Sequence, residues 1–151
     1  EKGEVEAVIG YPVIKEKELD LSGLKGSLVD VGNLHFVTWW DELESKPHLL
    51  FGAKIEKTSG YESGINSMYA RRISADEVEL LIWENACGAT LACGTGASAT
   101  LKVGIELGLI NEEVTIHMPG GSVQACLNPD QGVSIGGAVK EVFEGAFPWK
   151  T

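Results

Sequence analysis

A chain of 151 residues with a formal net charge of −10 and 44% hydrophobic residues has the size and composition of one globular domain. Its acidic balance lacks the clustered lysine and arginine that nucleic-acid phosphates require, and no apolar run approaches the ~20 residues of a membrane-crossing helix, so neither partner is expected. Three cysteines, an odd number without disulfide-like spacing, suit a reducing compartment and a cytoplasmic protein.

Residues 4–9 read as a first strand, Gly10-Tyr11-Pro12 as its break, and 15–26 as a charged connection. Strands at 27–31 and 36–40 flank the turn Gly32-Asn33-Leu34-His35. Ser45 as N-cap and Pro47 in the first turn predict a helix reaching about residue 57, ended by the polar, glycine-bearing stretch 59–64. Strands at 65–73 and 77–83 pair as a hairpin about Ser74-Ala75-Asp76. A helix from 95 or 96 to about 107 is apolar round most of its circumference, with only Lys102 and Glu106 charged, and should be enclosed. Gly108 ends it. Strands at 114–118, 122–128, 133–135 and 139–143 follow, joined by Pro119-Gly120-Gly121, Pro129-Asp130-Gln131-Gly132 and Gly136-Gly137. The expected fold class is α+β: a curled, mostly antiparallel sheet wrapped around one buried central helix.

Cys93 falls where a strand has ended and that central helix begins, between Ala92 and the run Gly94-Thr95-Gly96. Unpaired amides and the partial positive charge of a helix N-terminus should depress its thiol below ~8.5 and also attract a carboxylate. Three polar or glycine-rich loops, 32–35, 64–67 and 84–96, lie at strand ends. If those ends share one edge of the sheet, Asn33, His35, Asn66, Glu84 and Cys93 surround a single small-molecule cleft. Turn geometry alone explains asparagines and glycines in any one loop equally well, and a free cysteine is often a small buried hydrophobe. The flanking glycines favour function at Cys93. Glu84 is either a half-buried general base or a solvated strand-end carboxylate. Cys87 and Cys126 are assigned to packing, and His48 and His117 to structure.

The segment 94–99 also satisfies the G-x-G-x-x-G/A dinucleotide pattern, but no strand ends at the first glycine and Glu112 and Glu113 precede their strand. No lysine follows the glycines as a phosphate loop needs, and Cys87 with Cys93 lacks a second pair for zinc, so no metal and no cofactor are expected.

Ala92-Cys93-Gly94-Thr95-Gly96-Ala97, preceded by Trp83-Glu84 and Thr90, resembles the second cysteine motif of the diaminopimelate epimerases. Gly32-Asn33-Leu34-His35 is similar to that family's Gly-Asn-Pro-His loop, Gly64-Ile65-Asn66 to its Val-Asn segment, and Met118-Pro119-Gly120-Gly121 to its Leu-Pro-Gly-Gly turn. The likeness runs from about residue 8 to 145 but covers only the second of two pseudo-symmetric lobes. It implies cofactor-independent epimerisation of an amino acid, LL- to meso-diaminopimelate in lysine and cell-wall biosynthesis, with two cysteines on opposite faces of the α-carbon. It further implies Cys93 as one acid/base and Glu84 with His35 tuning the pair. By the same likeness, Gly94 and Thr95 grip the reacting carboxylate, and Asn33, Asn66 and Asn85 lie around the substrate's far end.

Two segments depart from the family pattern. Asn85-Ala86 stands where Arg-Gly is usual, removing a bidentate grip on a distal carboxylate, and Leu34 replaces a proline. The expectation is therefore a C-terminal lobe, residues 1–151 forming one domain, whose partner N-terminal lobe is absent and whose tail, about 139–151, packs on that lobe. The isolated chain should be inactive, and a homodimer is compatible with this arrangement. The alternatives are a non-catalytic ligand-binding or interaction module of the same fold, and a related isomerase with another substrate.

Overall fold

The computed structural model describes residues 2–149, so the ends of the expected domain, residue 1 and residues 150–151, lie outside the described residues. Strands β1 (Lys2–Gly10), β2 (Val13–Leu21), β3 (Leu24–Asp30) and β4 (Leu34–Trp40) precede helix α1 (Pro47–Glu56). Then come β5 (Asn66–Arg72), β6 (Glu77–Glu84), the short β7 (Gly88–Ala89), helix α2 (Gly94–Glu106), β8 (Glu113–Met118), β9 (Gly121–Asn128) and β10 (Gly132–Lys140). They form one sheet in the order β1-β10-β9-β8-β6-β5-β4-β3-β2, with β7 paired to β6. Most neighbours are antiparallel, and β4/β5 and β6/β8 are parallel. No helix among the described residues is long and apolar enough to cross a membrane.

Helix α2 touches β1, β9 and β10 from one end of this order and β3, β4 and β5 from the other. The sheet therefore curls around it, as the apolar circumference of the helix predicts. Residues from Gly96 to Leu101, together with Val103 and Gly104, are buried. Two hydroxyls inside this apolar surround, Ser98 and Thr100, donate back to the carbonyls of Gly94 and Gly96 at 3.0 and 2.8 Å, which removes the penalty of burying them unpaired. Strand alternation divides the core in two. Val37, Met68, Leu80 and Ile82 face α2, whereas Phe36, Tyr69 and Ile55 form a second cluster beneath α1. Each fully buried Leu or Ile contributes ~1.5–3 kcal/mol.

Three expectations are corrected. The charged stretch 15–26 is not a connection: it holds β2, which pairs with β3 across the tight turn at Ser22 (φ 58°) and Gly23 (φ 84°). Two consecutive positive φ values suit a two-residue hairpin, and charge on an edge strand guards its open backbone without preventing pairing. Gly136-Gly137 is likewise no turn, because β10 continues through it with Glu6 and Val5 of β1 opposite. Val139 thus belongs to β10, and no separate strand forms at 139–143. Finally, α1 is capped by Lys46 in the left-handed conformation (φ 51°) without a side-chain cap, while Pro47 opens the helix as expected; Ser45 is not the cap.

Candidate active site

Because β4 and β5 run parallel and β6 returns antiparallel, the starts of β4 and β5 and the end of β6 meet at one edge of the sheet. Alternation places His35, Asn66 and Glu84 on the face that carries Val37, Met68 and Ile82, the face toward α2. Cys93 enters the same region as the N-cap of α2, in extended conformation. The loop ahead of it is held from below, since Gly120 in the β8–β9 turn donates to the Leu91 carbonyl at 2.7 Å.

Cys93 Sγ accepts from the Gly96 amide at 3.4 Å and lies 3.5 Å from Thr95 Oγ1. The residue is 7% exposed, flanked by exposed Ala92 and Gly94. Burial pushes its thiol up, and Glu84 adds to the rise, against the lowering influence of the Thr95 hydroxyl and the Gly96 amide. The expectation of a depressed thiol is corrected: desolvation outweighs the hydrogen bonds from Thr95 and Gly96. Gly94 and Thr95 begin α2, where a helix leaves its first amides without internal partners.

His35 is fully buried, and burial lowers its imidazole to about 4 even though Glu84 and Asp30 act to raise it. Its Nε2 meets Asn33 Oδ1 at 2.9 Å, so the neutral ring carries its proton on Nε2, and buried Nδ1 has no hydrogen-bond partner. The sign of the pH dependence follows. Between 6.5 and about 4 the unfolded chain binds the proton and the folded chain does not, so stability falls as pH drops through that window. Urea unfolding at pH 7 and pH 4 should show about 3 kcal/mol more loss for the native chain than for His35→Gln.

Asn66 is buried and braces the edge, accepting from the Asn85 amide at 3.0 Å and donating Nδ2 to the Leu34 carbonyl at 2.8 Å. Asn85 Nδ2 donates to the Ser63 carbonyl at 2.9 Å. Gly64, at φ 77°, permits this approach, because a Cβ there would overlap the Asn85 amide. A hollow of about 450 Å³ opens over Asp30, Asn33, Asn66, Glu84 and Asn85, and its lining includes no lysine or arginine. A larger one of about 530 Å³, beside Glu4, Cys126 and Gly136, gathers none of the predicted site residues. The structure thus brings Asn33, His35, Asn66, Glu84 and Asn85 to one edge with Cys93, Gly94 and Thr95 at the helix start, although His35, Cys93, Gly94 and Thr95 do not line that hollow. Cys87, assigned to packing, is exposed in the turn between β6 and β7; Cys126 is half-buried in β9.

A family model described as diaminopimelate epimerase matches residues 27–141. The chain belongs to the diaminopimelate epimerase family. Diaminopimelate epimerase of Teredinibacter turnerae is 39% identical over 136 residues, covering 89% of this chain and 48% of that protein. The enzyme of that name from Acaryochloris marina is 35% identical over 120 residues, covering 79% of this chain and 42% of its own length. The chain spans about half the length of the curated relatives it matches. Among solved structures, a probable proline racemase of Agrobacterium radiobacter K84 shares the fold with a TM-score of 0.65 at 12% identity, covering 93% of this chain and 54% of that one. A hydroxyproline epimerase of Agrobacterium vitis has a TM-score of 0.54 at 13% identity, over 92% of this chain and 49% of that one.

Within this diaminopimelate epimerase family member, Ala86 takes a left-handed conformation at φ 61°, which explains physically why glycine suits that position. The sequence reading missed Glu56 and Ser63, which brace residues 85 and 86. Neither carries a motif, and only the fold brings them to that loop.

Proposed function

We propose that this chain is the C-terminal half of a cofactor-independent α-amino-acid epimerase of the diaminopimelate epimerase type. The observation that carries this reading is Cys93 Sγ seated at the N-terminus of the enclosed helix, with Glu84 bearing on its thiol. In one direction, a base on the opposite face removes the α-proton. The electron pair left behind delocalises toward the substrate carboxylate, whose charge the amides of Gly94 and Thr95 stabilise. Cys93, held protonated by burial, donates its proton to the other face and becomes the thiolate, so the configuration inverts and one proton has crossed. Glu84 adds to the rise that burial imposes on the Cys93 thiol, and neutral His35 orients the edge through Asn33.

The distal end of the substrate lies over Asn33, Asn66 and Asn85. With Asp30 and Glu84 in the same hollow and no cation lining it, a distal ammonium or neutral polar group is matched better than a distal carboxylate. The opposing base belongs to an N-terminal lobe. The segment after β10 supports a contact with such a lobe, since Val142, Phe143, Phe147 and Trp149 are all more than 80% exposed.

The test is incorporation of deuterium from heavy water at the α-carbon of an amino-acid panel that includes diaminopimelate, lysine and glutamate. The chain completed by the first lobe of a family member should exchange and racemise, while the chain alone should exchange at most slowly. No exchange by the completed protein into any member of the panel would end the proposal, and fast turnover by the chain alone would remove the second lobe from it.

A further inference from the structure

On the outer side of the sheet, the last turn of α1 reaches the loop that leaves β6. Glu56 Oε2 accepts from Trp83 Nε1 at 2.7 Å, and Oε1 accepts from the Ala86 amide at 3.1 Å. One carboxylate therefore holds two consecutive parts of the chain on either side of Glu84 and Asn85. Four residues earlier, Gly52 lies on the same face of α1, and a Cβ there would overlap the Trp83 ring, so helix and indole are in direct contact. From the inner side Asn66 holds the Asn85 amide, and Ser63 holds its side chain. Between these grips Ala86 keeps a left-handed backbone that an alanine does not favour by itself. The pairing of Trp83 with Ala89 and of Glu84 with Gly88 closes the turn around it. Glu56 is the group that accepts the amide of that strained residue.

We propose that Glu56 is a positioning residue: its bidentate grip on Trp83 and Ala86 fixes where Glu84 stands relative to Cys93 and where Asn85 meets the substrate. This rests on the reading of the site above and adds to it a carboxylate on the opposite face of the sheet. Both donors lower the Glu56 carboxyl, the Trp83 indole more than the Ala86 amide, so the grip is made by the charged form. An amide in its place presents one oxygen and one NH2, and the NH2 faces a donor. Glu56→Gln keeps the shape and loses one of the two bonds; Glu56→Ala loses both.

Two measurements on the full chain test this. Amide hydrogen exchange at Ala86 and Cys87 should rise about tenfold or more in Glu56→Ala and less in Glu56→Gln, with exchange at Met68 and Leu80 in the core unchanged. Peptide-resolved alkylation of Cys93 against pH should show its midpoint moving down in Glu56→Ala, toward that of Glu84→Gln, because Glu84 raises the thiol and a released loop carries it away. A purely structural brace would lower the melting temperature without moving that midpoint. If Glu84→Gln moves the Cys93 midpoint and neither Glu56 variant does, the positioning role is overturned and the site stands. If Glu84→Gln moves nothing, the site reading falls and the role of Glu56 falls with it. Should Glu56→Ala not fold, Glu56→Gln alone decides, through the same two readouts.

Discussion

Cys93→Ala in the completed enzyme should lower α-proton exchange by about 10²- to 10⁴-fold, the usual contribution of one positioned acid or base. Cys126→Ala should retain most of the activity, since Cys126 lies half-buried within β9, beside a different hollow. The contrast has a physical basis. Only Cys93 is both the N-cap of a helix and under the influence of Glu84; the Cys126 thiol is raised chiefly by burial, with Glu113, Glu6 and Glu112 adding to the rise. Initial rates of deuterium incorporation for the two variants, each compared with the parent, give the answer directly. Equal losses at the two positions would take Cys93 out of the chemistry.

Gly52→Ala is expected to destabilise the scaffold by about 1–3 kcal/mol. Its Cβ would overlap Trp83 at Cγ and Cδ2 and come within 2.7 Å of Cβ, atoms close to the backbone that cannot swing aside. The gain in helix propensity from replacing glycine, ~1 kcal/mol, is too small to offset that overlap. Gly94→Ala serves as control, because a Cβ there meets no atom within 4 Å. Chemical denaturation should separate the two variants clearly. The damage at Gly52 should also reach the site, since Trp83 precedes Glu84 and is the indole that Glu56 holds. A Gly52→Ala protein as stable as the Gly94→Ala control would show that α1 can move away from Trp83 at little cost, and the direct helix–indole contact would lose its structural role.

The fold was legible where local pattern and tertiary need coincide. The apolar circumference of the stretch from 95 or 96 to about 107 announced an enclosed helix, and the structure places it at Gly94–Glu106 with Cys93 as its N-cap. The polar loops were legible as strand ends, and the parallel pairing of β4 with β5 and the return of β6 decided that these ends share one edge. The strand hidden in 15–26 was not legible, because on an edge strand charge replaces the alternation that normally marks a strand. Gly136-Gly137 misled for the opposite reason: its composition suggests a turn, but β1 offers it a continuous partner.

What the sequence by itself determined is which residues sit at the start of the central helix and at the strand ends, since these follow from periodicity, glycine and proline within a few positions of each residue. What only the tertiary structure decided is the state of those residues. The Cys93 thiol is raised instead of depressed, the His35 ring is held neutral down to about 4, and Glu56 meets Ala86 from 30 positions away. Desolvation and hydrogen-bond partnership depend on what surrounds a group after the chain has closed on itself. No local pattern records which distant side chain will exclude water from it or accept its proton.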